Sequence, residues 1–171
     1  MQYKDENMVV IETNLEQMLP LQYLKNYLRI DNDCDDNFLL NALETAVNYA
    51  EAVTGKRFVT KVYKLTFQIT EDVSKIDKTP ILFDELIDIC VDGTHLTYLD
   101  FELKNGIIFL KKNIIGSIEI IFKISSVGEI PADIKQAILF HVANIYQNKN
   151  GDCSVPKGAQ EIYSLYRNVR I

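Results

Sequence analysis

The run Asp31-Asn32-Asp33-Cys34-Asp35 is the first place where residue types and spacing could do chemistry. Oxygen ligands from alternate positions suit a hard calcium ion. A calcium loop of that type also needs Gly at its sixth position and Glu at its twelfth, and this chain has Asp36 and Ala42 there. The run therefore reads as a solvated acidic turn. Asp35 or Asp36 is expected to accept hydrogen bonds from the first free amides of the helix that follows, its charge favoured by the helix dipole.

Nucleophilic chemistry has as little support. His141 lies on an apolar helical stripe, where a lone histidine is usually a core residue. Cys34 and Cys153 could partner it, yet neither sits in a nucleophile motif, and no paired acid or glycine-rich oxyanion turn stands out. His95 follows a turn and is expected to be exposed. The three cysteines, Cys34, Cys90 and Cys153, include no CxxC pair, so neither a disulfide framework nor a zinc site is suggested. Glycines at 55, 93, 106, 116, 128, 151 and 158 form neither GxGxxG nor a phosphate loop. Catalytic, cofactor and metal residues are thus expected to be none. Lys111-Lys112 and the terminal Arg167 and Arg170 are the densest basic spots, and they read as solvated turns or helix ends.

The 171 residues are 47% hydrophobic and 25% charged, with a formal net charge of -6. This composition fits a single compact soluble domain that needs no disulfide or metal to hold its core. Few Gly and Pro exclude disorder, and the acidic balance argues against broad phosphate-driven nucleic-acid binding. Acids at Asp5 and Glu6 stand where a signal peptide needs positive charge, and the apolar stretches near Ile114–Ile124 and Ile134–Ile145 are too short and too interrupted to span a bilayer. Export and membrane insertion are not expected.

These residues must be positioned by helices at both ends and strands between them. Residues 1–19 form an arm with a short strand at Met8–Ile11, and Pro20 opens a helix whose Leu21, Leu24 and Leu28 share a face. A longer helix covers about Asn37–Thr54, closed by Gly55. From Arg57 the period changes to two, through Val59, Tyr63, Leu65, Phe67 and Ile69. Further strands are expected at Ile81–Phe83, Leu86–Val91, His95–Leu99, Phe101–Leu103, Ile107–Leu110 and Ser117–Ile124, with turns at Asp92-Gly93 and Asn105-Gly106. Ile134, Ala137, Ile138, His141, Val142 and Ile145 then trace a helix ending near Lys149. Pro156 opens a last helix whose Ile162, Leu165 and Tyr166 are expected to pack inward. The fold class is α+β: N- and C-terminal helices (20–55 and 131–171) form a bundle, with a central antiparallel β-sheet insertion (57–125).

Two blocks at opposite ends carry a resemblance. The first is Leu21-Gln22-Tyr23-Leu24-Lys25-Asn26-Tyr27-Leu28-Arg29-Ile30-Asp31, followed by the second helix with Ala46, Tyr49-Ala50-Glu51 and Thr54-Gly55. The second is Ile130-Pro131-Ala132-Asp133-Ile134-Lys135-Gln136-Ala137-Ile138, continuing to Tyr146, then Val155-Pro156-Lys157-Gly158-Ala159 to Tyr166-Arg167. In order and spacing the chain resembles the head-tail connector, or adaptor, proteins of long-tailed bacteriophages and their prophage relatives. It departs from them after the last strand, where Ser126-Val127-Gly128-Glu129-Ile130 keeps only the glycine of an aromatic-Gly-Tyr run, and at Gln147, Asn148 and Lys149, which stand where Glu and Arg often follow the tyrosine.

The resemblance implies a non-enzymatic virion protein without cofactor, located in the virion neck and, during assembly, in the bacterial cytoplasm. It would bind as a ring beneath the portal protein, extend the DNA channel and dock neck or tail completion proteins. DNA would pass without sequence-specific binding, and the isolated chain can be monomeric because ring closure can depend on the portal template. Tyr163, Tyr166, Arg167 and Arg170 combine the residue types enriched at protein interfaces and are the expected contact patch; packing of those tyrosines inside the fold is the alternative. A head-closure or tail-completion role is a rival reading, and a host small-ligand-binding domain or enzyme is another.

Overall fold

A computed structural model describes residues 3–77, 83–126, 128–149 and 154–167. They form four helices and six strands, all strand pairs antiparallel, so the fold is α+β as expected. Two compact units divide the chain, one holding the residues up to Thr13 and from Thr60 to Ser125, the other Asn14–Val59 and the residues from Ser126 onward. Among the described residues no helix is long and apolar enough to cross a membrane.

The helical unit contains a single 3₁₀ turn at Leu15–Gln17 and helices α1 (Leu21–Leu28), α2 (Asp36–Thr54), α3 (Ala132–Gln147) and α4 (Lys157–Leu165). Ala42, Ala46 and Ala50 recur every fourth residue, so α2 presents a ridge of small side chains to the core. Leu43 and Val47 fill the space beside them, together with Ile134, Ala137, Ile138 and Val142 of α3. Pro131 and Pro156 stand immediately before α3 and α4 with φ near -56°, where a missing amide proton costs nothing. Phe58 and Val59 belong to this core, so the strand expected from Arg57 begins only at Lys61.

The sheet unit contains β1 (Tyr3–Thr13), β2 (Lys61–Ile76), β3 (Glu85–Val91), β4 (Thr94–His95), β5 (Phe101–Lys104) and β6 (Ile107–Ile124). The strand order is β1-β2-β6-β3-β4, with β5 also paired to β6. Period-two alternation places Leu65, Phe67 and Ile69 of β2 and Ile118, Ile120, Phe122 and Ile124 of β6 in one buried cluster. Tyr63 stacks on Phe122, with centroids 5.5 Å apart and planes 11° from parallel.

Several expected strands differ from those observed. The first strand runs from Tyr3 to Thr13 rather than Met8–Ile11, because β2 offers partners from Tyr3 to Thr13, with irregularities after Lys4 and after Val10. The strand expected at His95–Leu99 stops at His95, since the Asp100 carboxylate accepts the Thr97 amide at 2.9 Å and its hydroxyl at 2.7 Å and closes a turn there. Ile107–Leu110 and Ser117–Ile124 are one strand: Gly116, at φ 134°, bends β6 without ending it and still pairs with Ile69. Of the strand expected at Ile81–Phe83, Ile81 and Leu82 lie outside the described residues and Phe83 precedes β3 without belonging to a strand. Both hairpin turns are as expected, with Asp92-Gly93 at φ 47° and 78° and Asn105-Gly106 at φ 52° and 77°, the double positive φ of a type I′ turn.

Candidate functional site

The C-terminal segment is built on α4, whose inward stripe is Ala159, Ile162, Tyr163 and Tyr166. That is the i, i+3, i+4, i+7 pattern counted from Ala159. Leu165, expected to pack inward, is instead 81% exposed, and Tyr163, named as a contact residue, is 0% exposed. Ala159, although small, sets the phase of the stripe and turns Leu165 outward. Tyr163 packs with Tyr49 and His141 at centroid distances of 5.9 and 6.4 Å, so in this fold it serves the core. Tyr166 is half-buried; its hydroxyl donates to Asp133 Oδ2 at 2.7 Å, which raises its pKa, and the Lys56 ammonium lies 5.2 Å from its ring centroid. Arg167 is exposed, and Arg170 lies outside the described residues. At the end of this segment Leu165, the rim of Tyr166 and Arg167 reach the surface together.

The residues that carry the family resemblance have architectural work to do. Tyr49 stands edge-on to His141, with centroids 5.5 Å apart. Glu51 Oε1 accepts the amides of Phe58 at 2.7 Å and Val59 at 3.2 Å, tying the segment after α2 back onto the helix. Thr54 Oγ1 donates to the Ala50 carbonyl at 2.7 Å and accepts the Lys56 amide at 3.2 Å, while Gly55 adopts φ 67° as a left-handed cap. Hydrogen bonds to a carboxylate are each worth about 1.5–3 kcal/mol. We expect Glu51→Ala to lower helical-unit stability by about 2 kcal/mol in urea denaturation, and Glu51→Gln, which keeps an acceptor oxygen, by less.

Three carboxylates of the acidic turn are engaged by lysines of the same chain. Lys25, 5% exposed, places its ammonium 2.5 Å from Asp33 Oδ1 and 2.9 Å from Asp36 Oδ1. The Lys25 hydrogen bond holds the Asp33 carboxyl below its ordinary pKa. Asp35 occupies the N-cap position of α2 without a side-chain capping bond, contrary to the expected cap. Its carboxylate accepts the Tyr146 hydroxyl at 2.7 Å and the Lys149 ammonium at 2.9 Å, which lower its pKa. The turn thus joins α1 to α2, and α2 to α3.

His141 Nδ1 and the Tyr163 hydroxyl are buried without a hydrogen-bond partner among the described residues. Burial holds the His141 imidazole below its ordinary 6.5 and pushes the Tyr163 hydroxyl up. A histidine depressed in the folded state binds more protons when unfolded, so its contribution is complete above 6.5 and is lost as pH falls from 6.5 toward the folded value. The urea midpoint is expected to fall between about pH 7 and pH 5, before the carboxylates titrate near pH 4, and His141→Phe is expected to flatten that fall.

The sheet unit brings together residues that sequence reasoning kept apart. On the β3–β4 hairpin, His95 Nδ1 is 2.8 Å from Asp88 Oδ2 and 3.1 Å from Cys90 Sγ, and Cys90 Sγ is 3.5 Å from Asp88 Oδ2. The histidine lowers the Asp88 pKa, whereas burial, with Asp88 adding to it, raises that of the Cys90 thiol. The signal was present in the sequence: Asp-x-Cys places two side chains on one face of a strand, and a two-residue Asp-Gly turn sets His95 opposite Cys90.

Apolar surface is exposed in both units. Among the described residues β1 pairs with β2 alone and exposes Met8, Val9, Val10 and Ile11. In the helical unit a groove of about 410 Å³ lies between the starts of α1 and α3, lined by Met18, Leu19, Tyr23, Ala132 and Leu139 among others.

Residues 18–87 match the family described as phage gp6-like head-tail connector protein, so the resemblance read from the sequence is borne out. The fold is similar to a chain in the neck of an empty GTA particle computed with C6 symmetry, with 19% identity, TM-score 0.54, and 98% of this chain and 97% of that chain covered. It is also similar to a chain in the virion of a native gene transfer agent (GTA) particle, with 19% identity, TM-score 0.52 and 96% of each chain covered. A chain in the neck of a native GTA particle computed with C12 symmetry gives 20% identity, TM-score 0.50, and 98% and 97% coverage. Among curated protein sequences nothing matches.

Proposed function

We propose that this chain, with a phage gp6-like head-tail connector match over residues 18–87, is a structural head-tail connector of the virion neck. It binds as a ring beneath the portal, extends the DNA channel and offers a surface to neck or tail completion proteins. The observation that carries the reading is where the family match falls. Within it, Lys25, Glu51, Thr54 and Gly55 bind other parts of their own fold, which is the work of a scaffold rather than of a catalyst.

Ring closure needs two different complementary faces on each subunit, related by a rotation that closes. Six- and twelve-fold symmetry in the neck structures of similar fold supports such an arrangement. The exposed run Met8–Ile11 of β1, at the edge of the sheet among the described residues, is suited to a neighbouring copy, since an exposed apolar edge is a hazard that assembly removes. Leu165, Tyr166 and Arg167 at the end of α4, with Arg170 beyond, supply the portal-facing or neighbour-facing patch. The net charge of -6 suits a lumen that DNA crosses without sticking. A ring lined mainly by Lys and Arg would refute that channel charge. Assembly takes place in the bacterial cytoplasm, and the finished location is the virion neck.

The interface is tested by Leu165→Glu combined with Arg167→Glu. Both positions are exposed, so the free protein is expected to unfold at its normal urea concentration. Its binding to the portal ring or to neighbouring copies is expected to weaken by about tenfold or more. Unchanged ring assembly and portal binding would remove this patch from the account.

A further inference from the structure

We propose that Asp88, Cys90 and His95 form a binding site for a borderline-soft divalent cation of the zinc type, on the β3–β4 hairpin of the sheet unit. Carboxylate, thiolate and imidazole are the three side-chain groups that zinc takes, and a three-ligand set leaves its fourth tetrahedral position to water. The ligand atoms lie within 4.8 Å of one another. Bond lengths of about 2.0–2.3 Å at a tetrahedral ion set ligand separations of about 3.4–3.6 Å. The Cys90–Asp88 separation of 3.5 Å already matches, and the exposed His95 ring must draw back by roughly half an ångström from its contacts of 2.8 and 3.1 Å.

The backbone fixes this arrangement. Asp88 and Cys90 are two apart on β3 and share a face; Cys90 pairs with His95 across the hairpin, and Val91 with Thr94 closes the turn. Cys90 is buried while the His95 side chain is 72% exposed, so the ion has a floor and an open approach from solvent. Glu119 is registered opposite Cys90 on the other side and is engaged by Lys64 at 2.5 Å, which leaves the three hairpin groups as the ligand set.

The charges balance. In the metal-bound state the His95 proton would reside on Nε2, having left Nδ1, where it meets the Asp88 carboxylate in the free chain, and the Cys90 thiol proton would leave to solvent. One carboxylate and one thiolate then neutralise the dication. Bound metal would clamp β4, which is two residues long, to β3.

The test uses the full chain, stripped with a chelator under reducing conditions and titrated with Co²⁺, followed by Zn²⁺ competition. One equivalent of Co²⁺ is expected to give thiolate charge-transfer absorption with tetrahedral ligand-field bands, displaced by Zn²⁺. Since mere hydrogen-bond partners of metal ligands are worth roughly 10–100-fold in affinity, Cys90→Ser or His95→Ala is expected to weaken binding by roughly 100-fold or more. His95→Ala is at an exposed position and remains decisive if Cys90→Ser does not fold. A Cys34→Ser/Cys153→Ser double variant is expected to keep the bands. Absence of thiolate bands in the wild type, or their persistence in His95→Ala, would overturn the site.

Discussion

Tyr163→Ala is expected to destabilise the helical unit by about 3–5 kcal/mol, the usual result of emptying a buried aromatic site. Tyr163 is among the largest fully buried side chains, and α4 has only Ala159 as a second fully buried residue to hold it against the core. Tyr163→Phe should behave differently. The hydroxyl is buried with no partner among the described residues, so removing it while keeping the ring is expected to leave stability unchanged or raise it by about 1 kcal/mol. Urea denaturation of the two variants separates a core role from a contact role. A loss of several kcal/mol in Tyr163→Phe would mean that the hydroxyl has a partner of its own.

Gly116→Ala is expected to cost the sheet unit about 3 kcal/mol or more, because backbone strain and a lost hydrogen bond add. A Cβ at this position would lie 2.3 Å from Asp92 Oδ2 and 2.7 Å from Asp92 Oδ1. The φ of 134° is also one that side-chain-bearing residues rarely adopt. The carboxylate cannot retreat without loss, since Asp92 Oδ1 accepts the Ser117 amide at 2.8 Å. Asp92→Gly removes the obstructing side chain at a turn position whose φ of 47° suits glycine. A double-mutant cycle should therefore show the two changes to be non-additive, Gly116→Ala costing less in the Asp92→Gly background. Additive costs would place the whole effect in backbone strain.

The helices were legible because their periodicity and their punctuation agree. Leu21, Leu24 and Leu28, the alanines of α2, and Ile134 through Ile145 each fix a face, while Pro131, Pro156 and Gly55 mark ends. The two type I′ turns were legible because Asp-Gly and Asn-Gly have few other uses between apolar strands. What stayed hidden depends on partners far away in sequence. The extent of β1 is decided by β2, some sixty residues on, and the bend at Gly116 by Asp92. Asp35 was expected to cap α2, but Tyr146 and Lys149 claim its carboxylate from the far end of α3.

The interaction surface shows the same limit in sharper form. Tyrosine and arginine mark interfaces by composition, yet helical phase decides which of them reach solvent. Counting Ala159 into the stripe turns Tyr163 inward and Leu165 outward. The Asp88, Cys90 and His95 group is hidden for the opposite reason: the pattern that joins them is neither a CxxC pair nor a helical spacing but the register of a hairpin.

A head-tail connector must bind the portal. Purified protein mixed with its cognate portal and imaged by electron microscopy is expected to give a closed ring stacked coaxially on the portal ring, even if the free chain is monomeric. Folded protein that leaves the portal bare, or that joins only a preassembled neck or tail, would contradict it and point instead to head closure or tail completion.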